Sequence, residues 1–403
     1  MRVAIVTESF LPAANGVTTS VLRVLDHLQR HGHEAVVVCP QLPGAPAPAG
    51  YAGAAVVPVP AWAFREFGVG VPTAAVQRRV QAALAAFAPD VVHVASPFAL
   101  GYAGLAAARR LDVPSVAIYQ TDVAGFARHH GPPAATALFA RAAWRWIRRL
   151  HDLADLTLAP SSAALADLRA HGVARTALWG RGVDVERFHP GRRGTAAVTA
   201  LRRALAARAA LVPAGAPPGV VEDVVLVGYV GRLAPEKRVE RLAALAPLTG
   251  TAPATGLVVV GEGPCRAAVA RALDGLPAVL TGRLDGEELA DAYGALDVFV
   301  HTGTQETFGQ TLQEAMASGV PVVAPASGGP LDLVAHGSTG LLYAPDDDAA
   351  LADAVRLLSG DAPLRRRMGG QAAAGVRGRG WAPVVEELIG RYEQVRHRGR
   401  VAA

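Results

Sequence analysis

Two glutamates eight residues apart, Glu306 and Glu314, stand in the segment His301–Gly329, HTGTQETFGQTLQEAMASGVPVVAPASGG. An apolar, strand-like run ends at His301. Glu306 therefore falls in a loop at the carboxyl end of a strand, where a carboxylate accepts hydrogen bonds from sugar hydroxyls. Phe308-Gly309-Gln310-Thr311 reads as a helix start, whose first backbone N–H groups have no intrahelical acceptor and favour a phosphate or another polar ligand. Glu314 lies one or two turns further on, placed to accept from a pair of ribose hydroxyls, and Gly319 ends the helix. A capped helix with two solvated glutamates is the commoner meaning of such a pair. The loop–helix–Gly–strand setting, with Gly328-Gly329 at the next strand end, favours a ligand site.

Val230-Gly231-Arg232-Leu233-Ala234-Pro235-Glu236-Lys237 carries the complementary charge. Arg232 offers a forked contact and Lys237 a mobile point charge. Two such cations in a loop after a strand suit a diphosphate and can offset the charge that grows as it departs. An ordinary surface loop is the plainer alternative, but Lys237 is the only lysine among the 39 basic residues. Thr7–Thr19 forms a first strand–loop–helix in which Asn15-Gly16 permits a tight loop. Thr18 or Thr19 is expected to cap the helix, and amides at its start are candidates for a phosphate. No Gly-x-Gly-x-x-Gly fingerprint is present there. Weaker candidates follow other strands: Gly261-Glu262-Gly263-Pro264 as a close approach for a nucleoside, Arg283 and Leu284 as the edge of a base pocket, and Gln120 and Asp122, with His129 and His130, near an acceptor hydroxyl. Plain turns and solvated or core histidines are the alternatives.

These residues need strand ends to stand on. Apolar runs of strand length alternate with helical spacing: Arg2–Thr7, Glu34–Cys39, Asp90–Ala95, Ser115–Gln120, Leu156–Ala159 and Thr176–Trp179, then Val224–Val230, Gly256–Val260, Ala278–Thr281, Val298–His301, Val320–Ala324 and Gly340–Tyr343. Runs apolar on both faces indicate parallel strands covered on both sides, hence α/β doubly wound domains. We divide the 403 residues into a domain at 1–190, a linker region at 191–222 containing a helical piece near Val198–Ala210, a domain at 223–380, and a last helix at 381–403 that crosses back to the first domain. Clefts outside the carboxyl ends of parallel strands are the default ligand site.

Composition narrows the class. Hydrophobic residues make up 51%, enough for large cores, yet no run is long enough to span a membrane and Met1–Phe10 reads as a strand rather than a signal peptide. Cys39 and Cys265 are too few and too far apart for a disulfide framework or a zinc site, which suggests a reducing cytoplasm. The net charge of +5 is matched by residues 123–151 alone, where Arg128, Arg141, Arg145, Arg148 and Arg149 meet no acid. Thr136–His151 reads as an amphipathic helix with Trp144 and Trp146 between its basic and apolar sides. Residues 128–151 therefore stand as a candidate peripheral contact with an anionic membrane, with a domain helix turned into the core as the alternative.

On Glu306 and Glu314, Arg232 and Lys237, Gly16, and Gly182-Val183-Asp184 before Phe188-His189-Pro190, the chain resembles the retaining glycosyltransferases of family 4, across nearly its whole length. The wording around Gln120-Thr121-Asp122 and Gly16 is most similar to actinobacterial GDP-mannose-dependent α-mannosyltransferases acting on glycolipids. The resemblance implies the GT-B fold of two Rossmann-like domains facing a cleft, and a hexose donated by a nucleotide sugar without a metal or other cofactor. It implies that Arg232 and Lys237 hold the donor diphosphate, Glu306 the hexose and Glu314 the ribose, with amides at Phe308–Thr311 and Gly16 on sugar hydroxyls and phosphate. Many relatives carry histidine where this chain has Gln120, and two glycines where it has Asn15-Gly16. The expected reaction is α-transfer of mannose from GDP-mannose to a lipid or glycan hydroxyl, in the cytoplasm or at the inner face of its membrane. A UDP-sugar donor with a small-molecule or polyprenyl acceptor and a sugar-nucleotide epimerase are the alternatives; nucleic acid is not an expected partner.

Overall fold

Consecutive residues of the central strands fall alternately into two different hydrophobic clusters, the signature of sheets buried on both faces. In the first unit Val3 and Ile5 join one cluster with Val37, Val91 and Ile118, while Ala4 and Val6 join another with Val36, Val92 and Ala117. In the second, Val225, Val227 and Tyr229 lie on one side and Leu226 and Val230 on the other. The computed structural model describes residues 1–13, 15–41, 44–60, 63–64, 69–70, 74–120, 136–213, 223–250 and 252–402. They form two units, Met1–Gly182 with Trp381–Ala403, and Val183–Gly380.

The strands of the first unit are β1 (Arg2–Val6), β2 (Glu34–Gln41), β3 (Gly50–Tyr51), β4 (Ala54–Pro60), β5 (Ala63–Phe64), β6 (Val69–Gly70), β7 (Val91–Val94), β8 (Ser115–Ile118), β9 (Leu156–Ala159) and β10 (Thr176–Leu178). β5 and β6 pair only with each other; the rest form one sheet in the order β10-β9-β8-β7-β1-β2-β4-β3, parallel except for β3. β3 and β4 were not expected. Pro58 and Pro60 argue against a strand, yet β3 bonds β4 only at Ala54 and Ala55, so the prolines need no donor on that side. The second unit has β11 (Val225–Val230), β12 (Thr255–Val260), β13 (Ala278–Gly282), β14 (Val298–Val300), β15 (Val322–Pro325) and β16 (Gly340–Tyr343), all parallel in the order β13-β12-β11-β14-β15-β16. The chain reverses its direction of travel across each sheet once, at β1/β7 and at β11/β14. A ligand crevice is expected outside the carboxyl ends at these points.

Two boundaries differ from the sequence expectation, and the last helix follows it. The first unit ends at Gly182, not 190, because Val183 and Phe188 lie in the core of the second. Residues 191–213 are not a linker: the Ala196–Arg208 helix buries Val198, Leu205 and Ala206 in that same core, and 214–222 lie outside the described residues. The last helix, Trp381–Ala402, contributes Val385, Leu388, Ile389, Tyr392 and Val395 to the core of the first unit. Trp179 Nε1 donates to Val384 O at 2.9 Å, and the His93 ring bonds Tyr392 Oη at 2.5 Å. Among the described residues no helix is long and apolar enough to cross a membrane.

One buried carboxyl gives the first unit a pH dependence. Glu8 follows β1, and its Oε1 accepts from Gly101 N at 2.9 Å in the first turn of the Ala99–Arg110 helix, whose N-cap Phe98 supplies no side-chain cap. Burial pushes the Glu8 pKa up to about 7, against the pull of the backbone donors. The folded unit thus holds a proton that the unfolded chain has lost, so stability falls as pH rises from the ordinary carboxylate range to about 7 and is level above. Urea titrations at about pH 5 and about pH 8 should show a wild-type loss of roughly 2–3 kcal/mol that is absent in Glu8→Gln. Equal pH dependence of the two proteins would refute the assignment.

Candidate active site

The loops after β11 and β14, on either side of the second unit's reversal point, are packed directly against each other. A Cβ on Gly303 would lie 2.9 Å from Glu236 O and 3.2 Å from Lys237 Cα, and Thr302 Oγ1 donates to Lys237 O at 2.7 Å. This brings the Lys237 ammonium to Glu306: Nζ donates to Oε2 at 2.6 Å. The other carboxylate oxygen, Oε1, accepts from the amides of Phe308 (3.4 Å) and Gly309 (3.2 Å). Burial alone would raise the Glu306 pKa; the Lys237 ammonium, His301 and these amides outweigh it and hold the carboxyl at about 2. Burial works against the Lys237 charge, and Glu306 more than restores it, so its pKa is raised. Arg232 stands close enough for its charge to act against that of Lys237, and its carbonyl accepts from Tyr229 Oη at 3.1 Å.

The helix after this loop runs Gln310–Ala317, with Gly309 at its N-cap in a left-handed conformation (φ +100°). Sequence reasoning offered the amides of Phe308 and Gly309 to a ligand; Glu306 occupies them here. Glu314 sits in the second turn, and Tyr293 Oη donates to its Oε2 at 2.9 Å and to Thr311 O at 3.2 Å. Burial, with Glu314 next, raises the Tyr293 pKa well above its ordinary value, so the phenol remains a donor. Its ring meets Phe188 edge-on, with centroids 5.5 Å apart.

Gly328-Gly329 pins the loop from the other side. Gly329 N donates to Glu306 O at 2.7 Å, and a Cβ at 329 would fall 2.1 Å from Phe308 O. Gly329→Ala must push the Glu306 loop out of place. A loss of roughly 1–3 kcal/mol in stability, and of roughly 100-fold in turnover, is expected in melting and rate measurements; unchanged turnover would show that the loop tolerates the shift.

The weaker candidates are placed differently from expectation. A Cβ on Gly263 would lie 2.3 Å from Leu233 O, so this glycine admits the cationic loop's own backbone. Arg283 pairs through two bonds with Asp285 (2.9 and 3.1 Å), and Leu284 packs on the core. In the first unit Asn15, not Thr18 or Thr19, caps the Gly16–Arg30 helix: its Oδ1 accepts from Val17 N and Thr18 N, both at 3.0 Å. Those two amides are thereby taken. Gln120 Nε2 donates to Ala95 O at 3.1 Å and its Oε1 accepts from Arg181 at 3.1 Å. Asp122, His129 and His130 lie outside the described residues. Sequence reasoning missed Tyr293, Thr302 and Arg181, which act across long sequence separations that no local spacing announces. Among the described residues no group of three or more His, Cys, Asp or Glu is placed to hold a metal ion.

Comparison with known proteins shows the family. Residues 14–187 match the family described as Glycosyltransferase Family 4, and residues 216–374 match Glycosyl transferases group 1. The chain is 50% identical to a GDP-mannose-dependent alpha-mannosyltransferase of Mycolicibacterium smegmatis, over 98% of each chain. It is 48% identical to one of Mycobacterium tuberculosis, over 99% of this chain and 98% of the relative. Its fold matches sucrose-phosphate synthase from Thermosynechococcus elongatus at TM-score 0.76 and 22% identity, over 98% of each chain. Two Rossmann-like parallel-sheet units, the paired cation and glutamate loops and near-full-length identity of this order together make the chain a GT-B glycosyltransferase, a member of family 4.

Proposed function

We propose that this glycosyltransferase moves mannose from GDP-mannose to a hydroxyl of a lipid or glycan acceptor, with an α linkage and retained anomeric configuration. The observation that carries the reading is the 2.6 Å contact between Lys237 and Glu306, which sets a cation suited to a diphosphate beside a carboxylate suited to sugar hydroxyls. The donor specificity follows the two relatives at 50% and 48% identity. Arg232 and Lys237 take the diphosphate, Glu306 the hexose hydroxyls and Glu314 the ribose pair, with the amides of Gln310 and Thr311 on the hexose. The glycosidic C–O bond to the diphosphate breaks as the acceptor oxygen arrives on the same face. The departing phosphate oxygen receives the acceptor proton, and the two cations stabilise its growing charge without a protein nucleophile.

The acceptor lies at an anionic membrane surface in this reading. Arg141, Arg145 and Arg148 line a cavity of about 490 Å³ with Trp144, Asp167 and His171, and Leu138 and Phe139 on the same helix are 71% and 51% exposed. The test is nucleotide release from GDP- and UDP-sugars with and without liposomes carrying anionic lipid. GDP-mannose should be consumed in the presence of acceptor, in EDTA as in its absence, and faster with anionic liposomes. Preference for a UDP-sugar or a β-linked product would overturn the donor or the stereochemical assignment.

A further inference from the structure

Arg181 joins Gly16 and Gln120, two first-unit residues to which the family resemblance gives a role. It follows β10 and the buried Trp179, and its backbone neighbour Gly182 is packed against Trp381, where a Cβ would come within 2.7 Å of Cα. From there its guanidinium reaches three acceptors among the described residues. Nε and Nη2 donate to Ser20 Oγ at 3.0 and 2.7 Å, Nη2 donates to Gln120 Oε1 at 3.1 Å, and Nη2 also donates to Gly16 O. Ser20 and Gly16 belong to the helix that follows β1, and Gln120 follows β8. Gln120 is bonded in turn to Ala95 O, just past β7. One planar cation thus ties together the strand ends around the first unit's β1/β7 reversal point.

The same geometry explains Gly16. A Cβ there would fall 2.8 Å from Arg181 Nη1 and 3.2 Å from Nη2, so the space a side chain would take is filled by the guanidinium. It also explains how glutamine serves at 120: its amide oxygen and nitrogen are each given a partner, which sets its orientation.

We propose that Arg181 is a positioning residue for transfer, holding the Gly16 turn and the Gln120 side chain in their working geometry, and that a side chain at position 16 would displace its guanidinium. This rests on the glycosyltransferase reading. Lysine is a poor substitute, because it has neither the Nε donor to Ser20 nor the broad guanidinium that lies against Gly16.

The test compares Arg181→Ala, Arg181→Lys, Gly16→Ala and the Gly16→Ala/Arg181→Ala double variant of the full chain. Both Arg181 variants should lose roughly 10–100-fold in kcat with donor KM changed by less than about threefold, while melting temperature moves only slightly. Gly16→Ala should cost activity in the wild-type background and nothing further beside Arg181→Ala. Hydrogen exchange in the turn leading into the Gly16–Arg30 helix should speed up in both Arg181 variants. Wild-type kcat in a folded Arg181→Lys, or losses at 16 and 181 that simply multiply, would overturn the proposal. A wild-type protein that turns over no nucleotide sugar overturns the transferase reading instead, and exchange then decides: unchanged protection of the turn removes Arg181 from its assigned role.

Discussion

Glu306→Ala should lower kcat by roughly 10²–10³-fold, with GDP binding as tight as in the wild type or tighter. The split follows from what the carboxylate touches. Oε2 holds the Lys237 ammonium and Oε1 holds two amides, so deletion removes an acceptor for sugar hydroxyls while releasing three donors toward an anion. A loss of nucleotide affinity equal to the loss of turnover would contradict the assignment to the hexose. Because its pKa is held down at about 2, Glu306 stays ionised in the folded protein well below the ordinary carboxylate range. Its contribution to stability is therefore full above that range and is lost only as pH falls toward about 2, so no acidic limb of the rate profile near neutrality belongs to it.

Replacing Lys237 should be comparably severe and informative in a different way. Lys237→Met leaves a buried carboxylate without its cation, which typically costs about 3 kcal/mol, and removes a diphosphate contact. Lys237→Arg keeps the charge but not the shape. An ammonium can give one N–H to Glu306 and others to phosphate oxygens. The arginine variant should lose roughly 10-fold in kcat/KM for the donor. If donor affinity and rate are both preserved, the single lysine among 39 basic residues is an accident of composition.

The site was legible where its logic is local. Glu306 and the Arg232–Lys237 loop each follow a strand and Glu314 lies in the helix after its loop, so local spacing placed all of them. The strands of both sheets were legible because alternate residues on both faces are apolar, and β4 escaped because its prolines argue against the strand its neighbours permit. Glycines were legible only in part. Gly16, Gly263 and Gly329 announce that something approaches closely, but not that Arg181, Leu233 O and Phe308 O are among the atoms that do. Tyr293 on Glu314, and Phe188 behind Tyr293, join residues that only the fold brings together. The cap at Asn15 was confused with the threonines inside the first turn because all three residue types serve as caps.

The interrupted first unit has a consequence for the order in which the chain can mature. Residues 183–380 are continuous, so this unit has all its strands and core before synthesis ends. The first unit leaves the ribosome earlier yet lacks Val385, Leu388, Ile389, Tyr392 and Val395, which arrive on the last 22-residue helix. Until then its sheet presents an uncovered apolar face. The N-terminal half is therefore made first and finished last, and a nascent or truncated chain exposes to chaperones and proteases the unit that carries Gly16, Gln120 and Arg181 while the unit that carries Lys237 and Glu306 is already closed.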